Sequence, residues 1–226
     1  MAVTLDRIVP FGRSLAEYRL MFALTAADLQ RQILSIADGP ASFNAEATPL
    51  GANIQSIDPI YQFGGPEIRQ RFGAVVDDII AQIGATPDAW SWEVHDSPAA
   101  LRASREQTLE LFLADYDRGR QEGRYHYGAL PHLDCTNGQF DLVLCSHFLL
   151  LYSAHLDYAF HRQALQELLR VGREVRIFPL LTLACQRSPY LDKLMTEFAQ
   201  QGYRPTIKPV EYELQKGGNE MLVVRL

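Results

Sequence analysis

Ile33-Leu34-Ser35-Ile36-Ala37-Asp38-Gly39-Pro40-Ala41-Ser42-Phe43-Asn44, followed by Ile54-Gln55-Ser56-Ile57-Asp58, is the part of the chain that decides its fold. Each apolar run ends in an acid, and the first acid is followed at once by glycine. The pattern predicts a strand, a tight turn into a short helix, and a second strand with a carboxylate at its carboxyl end. In a doubly wound sheet both acids would point into the crevice beyond the strand ends, where nucleotide-like ligands bind.

Working outward, Ser14-Leu15-Ala16-Glu17 has the form of a capping box opening a helix through Phe22. Thr25 starts a further short turn before the first strand, Gln32–Ala37. A helix is expected over Ser42–Thr48, and strand two over Asn53–Ile57. Gly65-Pro66 opens a longer helix to Ile83, with Ile68, Phe72, Val75, Val76, Ile79 and Ile80 at helical spacing. Strands three to five are expected at Arg124–Ala129, Phe140–Ser146 and Glu174–Leu181. Helices are expected over Asp157–Val171 and from Ser188-Pro189 to Gln201. Thr206–Leu214 and Glu220–Leu226 flank Lys216-Gly217-Gly218-Asn219 and read as a closing hairpin. The fold class is therefore α/β: a doubly wound, mostly parallel seven-stranded sheet with a reversed C-terminal strand and helices on both faces. Residues 1–226 form one domain. Residues 84–123, with Trp90 and Trp92 and a helix after Ser97-Pro98, are too long for a plain crossover and read either as an insertion covering the site or as an extra packing helix on the sheet.

The composition is that of an ordinary globular protein, 47% hydrophobic and 21% charged, with a net charge of −6. No lysine or arginine run offers a general grip on phosphate backbones, so nucleic acid is not the expected partner. The segment Met1–Arg7 has no leader pattern, and no apolar stretch reaches membrane-spanning length. Cys135, Cys145 and Cys185 are odd in number and lack C-x-x-C spacing, which fits a reducing cytoplasm. His126, His132, Asp134 and Cys135 have no metal-ligand spacing, and no metal is expected. The sequence sets no oligomeric state.

With these pieces in order, the chain resembles the class I S-adenosylmethionine-dependent methyltransferases from about Ile33 to Leu226. The resemblance rests on the loop Asp38-Gly39-Pro40-Ala41-Ser42, the strand-end acid Asp58, Leu130-Pro131 after strand three, and Gly138-Gln139-Phe140-Asp141 entering strand four. It extends through Arg173-Glu174-Val175-Arg176-Ile177 to the closing hairpin. The loop departs from the family in carrying Ala41 or Ser42 where a second glycine is usual. The position before Leu130-Pro131, often acidic in the family, is held by His126-Tyr127-Gly128-Ala129.

The resemblance implies S-adenosylmethionine as cofactor and a small-molecule methyl acceptor. It places Asp38, Gly39, Pro40 and Ser42 at the methionine portion, and Asp58 at the ribose hydroxyls. Tyr61, Ala129 and Leu130 fall around the adenine, and Ser146 at the end of strand four. Asp58-Pro59-Ile60-Tyr61 mimics an amide-methylating motif but follows the wrong strand for that chemistry. His147 is the candidate general base or orienting group, with Tyr152 as a second catalytic candidate; an imidazole is suited to taking a proton near neutral pH. Arg13, able to clamp a carboxylate of cofactor or acceptor, joins Tyr18 and Trp92 as candidates for acceptor binding. The competing class is a non-catalytic binder that keeps the nucleotide crevice. A dehydrogenase is a poorer reading, because G-x-G-x-x-G is absent.

Overall fold

The computed structural model describes residues 3–226; Met1 and Ala2, which begin the segment read for a leader, lie outside the described residues. Seven strands form one sheet: β1 (Gln32–Ile36), β2 (Asn53–Ile57), β3 (Tyr125–His126), β4 (Leu142–Ser146), β5 (Glu174–Phe178), β6 (Arg204–Pro209) and β7 (Glu220–Arg225). Their order is β3-β2-β1-β4-β5-β7-β6. β1 pairs in parallel with β2 and β4, and β7 runs antiparallel to both its neighbours, so the reversed strand is the last one. The central strands are apolar almost throughout because helices cover both faces, as parallel sheets require. The helices are α1 (Leu15–Phe22), α2 (Phe43–Ala47), α3 (Gly65–Ala85), α4 (Pro98–Gln121), α5 (Tyr158–Val171) and α6 (Leu191–Gln200). Among the described residues, no helix is long and apolar enough to cross a membrane.

Local chemistry explains where the elements begin. Ser14 caps α1 in a complete capping box with Glu17, and Asp157 caps α5 by accepting the Phe160 N–H at 2.8 Å. Two expectations shorten. β3 spans two residues, since only Ser56 and Ile57 of β2 find partners there. β6 ends at Pro209, so 210–219 is a loop rather than a tight hairpin turn. That loop carries Tyr212 and Leu214 back into the core.

The segment 84–123 is a packing element. The buried face of α4 presents Leu101, Leu109, Phe112 and Tyr116 at helical spacing, while Leu111 is exposed. Phe112 and Tyr116 join Tyr61 and Tyr125 in an aromatic cluster with ring centroids 4.7–5.9 Å apart. Two ionic clamps fix the helix. Asp115 takes a fork from Arg124 at 2.7 and 2.8 Å, and Arg124 also donates to Asn44 Oδ1 at 2.7 Å. Arg105, fully buried, donates through both terminal nitrogens to the two oxygens of Glu17, each at 2.7 Å. Removing one partner of such a buried pair strands the other charge in a low-dielectric interior. Arg105→Leu is therefore expected to lower the unfolding free energy by about 3–5 kcal/mol, read as a fall in the urea midpoint at unchanged slope.

Candidate functional site

The carboxyl ends of β1, β2 and β4 open into a cleft of about 720 Å³. The turn after β1 supplies Asp38 and Gly39, the end of β2 supplies Asp58, the loop after β3 supplies Gly128, Ala129 and Leu130, and β4 supplies Ser146 and His147. Two of these strand ends are bent by residues in the left-handed region: Ala37 (φ 55°) after β1 and His147 (φ 50°) after β4. Non-glycine residues hold that conformation only where the surroundings enforce it, and such positions cluster at functional sites. Gly39, at φ 56°, is the residue type this turn calls for.

Asp58 accepts the Gly39 N–H at 2.9 Å and the Ile60 N–H at 2.7 Å, so one carboxylate caps the turn after β2 and pins the β1 loop. Asp38 accepts the Ser56 hydroxyl at 3.0 Å and the Tyr61 hydroxyl at 2.8 Å. Both acids are raised above the ordinary carboxylate range: Asp38 to about 7 by burial and then by the charge of Asp58, and Asp58 to about 6 by burial. Two neighbouring carboxylates without a cationic side chain at hydrogen-bonding distance suit a ligand that brings hydroxyl or ammonium donors.

At the other side of the cleft, Arg13 and His147 stand on a shared wall. Together with Val9 and Phe11 they also line a side pocket of about 80 Å³, whose remaining walls include Trp90, Phe178, Tyr152 and Tyr212. His147 Nδ1 lies 3.0 Å from Ser146 Oγ, and the His147 backbone N–H donates to the Phe178 carbonyl at 2.6 Å. Burial, with Arg13 and Arg105 nearby, holds the imidazole well below its usual pKa and so neutral. Arg13 touches the Phe11 carbonyl through Nη1, and its Nε is buried without a partner. Glu17 cannot serve it. Besides Arg105, that carboxylate meets Tyr212 Oη at 2.9 Å, His95 Nε2 at 3.2 Å and the Ser14 N–H at 3.0 Å.

Of the residues singled out from sequence, Asp38, Gly39, Asp58, Ala129, Leu130, Ser146, His147 and Arg13 share the cleft. The others do not line it. Pro40 faces the N-terminal segment: its carbonyl passes so close to Gly12 that a Cβ there would lie 2.2 Å away. Ser42 is buried and donates to Glu46 at the start of α2. Tyr61 packs its ring in the aromatic cluster, and its hydroxyl, 2.6 Å from the Gly39 carbonyl, buttresses the loop after β1. Tyr18 is buried, stacked on Phe43 at 4.2 Å with its hydroxyl 3.1 Å from Ser35 Oγ. Tyr152 lines only the side pocket, where its hydroxyl accepts the Val9 N–H at 3.3 Å.

Trp92 packs half-buried on the core and lines neither cavity; its companion Trp90 lines the side pocket. No residue of 84–123 lines the large cleft, because the buried face of α4 is spent on the aromatic cluster and on Glu17. The N-terminal segment contributes Arg7 through Phe11 and Arg13 to the wall of the cleft. Two hydrogen bonds moor the residues before it: the Thr4 N–H to Gln82 Oε1 of α3 at 2.7 Å, and the Leu5 carbonyl to His155 Nε2 at 2.7 Å. The signal for it was Ile8-Val9-Pro10-Phe11-Gly12, an apolar run without periodicity directly before a capped helix.

Comparison with known proteins agrees with this architecture. No model of a known protein family matches the chain. Two crystal structures of the methyltransferase domain of bacterial CtHen1, described as CtHen1-CN and CtHen1-C, each superpose with a TM-score of 0.51 at 12% identity. They cover 94% of this chain and 100% and 98% of their own. At that identity the likeness shows the fold, which is the methyltransferase fold. The uncharacterized protein MJ0045 of Methanocaldococcus jannaschii is 35% identical over 224 residues, 99% of this chain and 98% of its own length. The chain belongs to the same family as this archaeal protein.

Proposed function

We propose that the protein is an S-adenosylmethionine-dependent methyltransferase acting on a small molecule. The observation that carries this reading is the pair Asp38 and Asp58, facing a roomy cleft at the carboxyl ends of β1 and β2 without a cationic partner. Asp58 would receive the ribose hydroxyls, for which each oxygen keeps a lone pair after its backbone bond. Asp38, fixed by Ser56 and Tyr61, would face the ammonium group, and Leu130 with Ala129 would form the adenine wall. The cofactor supplies an activated methyl group, which is chemistry no side chain carries.

The chain's own task is to align the acceptor and keep water out. The segment Arg7–Phe11 lines the same cleft as His147 and helps wall it from water. In the tautomer whose Nδ1–H donates to Ser146 Oγ, His147 would offer the lone pair of Nε2 to the acceptor's proton. The left-handed backbone at His147, at a strand end lining the cleft, favours this catalytic reading over a bare nucleotide binder.

Calorimetric titration with S-adenosylhomocysteine tests the reading. The protein should bind it, and Asp58→Asn should weaken binding by about 1.5–3 kcal/mol, roughly ten- to a hundredfold, with the fold intact by circular dichroism. Unchanged affinity in that variant would remove Asp58 from the ribose site. The pH dependence has a fixed sign. Donors from the ligand favour the ionised carboxylates and protonation competes, so affinity should rise as pH climbs through about 6 to about 7 and then level off. A flat profile over that window would contradict the carboxylate assignment.

A further inference from the structure

Glu17 and its neighbours leave a charge over. Arg105 occupies both oxygens of Glu17, and Tyr212, His95 and Ser14 use what remains of its accepting capacity. Arg13, the second guanidinium of this cluster, touches the Phe11 carbonyl and lies over the Phe11 ring at 5.7 Å, but meets no carboxylate; its Nε, like that of Arg105, has no hydrogen-bond partner. Arg13 is half-buried, a cation partly withdrawn from water on the wall of two cavities, and a guanidinium matches a carboxylate by its planar fork of donors.

Where Arg13 stands decides what kind of anion. It lines both cavities, in company with His147 and Phe11. Asp38 and Asp58, by contrast, line the large cleft but not the side pocket. The cation therefore belongs to the side-pocket end of the cleft and the acid pair to the other. The side pocket is walled largely by Phe11, Trp90, Phe178, Leu183 and Leu214. Its volume of about 80 Å³ exceeds the ~10–15 Å³ that one water needs, so it takes a group of several heavy atoms, such as one ring or a branched aliphatic chain.

Resting on the methyltransferase reading, we propose that the acceptor is a small carboxylic acid with a compact apolar body, the carboxylate held by Arg13 and the body seated in the side pocket. The acceptor's reacting atom then lies beside His147, between the anion site and the acid pair. A carboxylate at Arg13 also offsets one of the two cations that disfavour protonation of His147, so the base gains proton affinity only when the acceptor is in place.

Benzoate and its neutral isostere benzamide are the probes, titrated into protein saturated with S-adenosylhomocysteine. Benzoate should bind about ten- to a hundredfold more tightly than benzamide, the worth of one charge-assisted contact. Equal affinities, or benzamide the tighter, would overturn the proposal without any variant being made. Arg13→Gln should erase the preference while leaving S-adenosylhomocysteine affinity within about twofold, a change worth under ~0.5 kcal/mol. Loss of S-adenosylhomocysteine binding in that variant, with 5′-methylthioadenosine binding unchanged, would assign Arg13 to the cofactor's own carboxylate and overturn the acceptor assignment. Leu183→Trp, which fills the pocket with Arg13 intact, should weaken benzoate alone; benzoate affinity unchanged there would overturn the seating of the apolar body. The wild-type S-adenosylhomocysteine titration reports separately on the methyltransferase reading. If that ligand fails to bind, the reading falls, whatever benzoate does.

Discussion

The buried fork between Arg105 and Glu17 is the constraint on which the rest of the arrangement depends. Glu17 closes the capping box of α1 on one side and receives both terminal nitrogens of Arg105 on the other. One carboxylate thereby sets the start of the first helix and locks α4, the long helix of the 84–123 segment, against it. Arg13 directly precedes the cap residue Ser14, so the same contact fixes where the chain enters the cleft. Because Glu17 is fully used, the guanidinium of Arg13 stays unpaired at the junction of two cavities.

Charge is thus distributed along the cleft by construction. Asp38 and Asp58 stand at the ends of β1 and β2, and Arg13 stands beside the end of β4. In a partly enclosed cleft such groups act more strongly than they would in water. A ligand with cationic and hydroxyl donors belongs at one end and an anion at the other, with His147 on the wall beside Arg13. The backbone contributes as well. Left-handed Ala37 and His147 turn the chain sharply after β1 and β4, which leaves the strand ends exposed to the cleft.

Much of this was legible in the sequence, and for identifiable reasons. The bounds of β2, the capping box at Ser14 and the proline-led start of α3 depend on short-range chemistry, and the structure keeps them. The strand-end acids follow from the sheet alone, and both line the cleft. What could not be read depended on direction and long-range pairing. Tyr61 follows an acid in a suggestive motif, but nothing local shows that its ring turns toward three other aromatic rings. In the 84–123 segment, Arg105, Phe112 and Tyr116 pack α4 on the core, while Trp90 reaches the side pocket. Arg7–Phe11, which lines the cleft, has no helical or strand period, and its apolar run before a capped helix is the one sign of it. Nothing local marks Glu17 as the partner of Arg105, 88 residues away.

The most direct measurement is a crystal structure of the complex with S-adenosylhomocysteine. The ribose hydroxyls should lie within hydrogen-bonding distance of the Asp58 carboxylate, the adenine against Leu130, and the sulfur on the side of His147. A ligand lodged elsewhere, or one whose ribose avoids Asp58, would contradict the account.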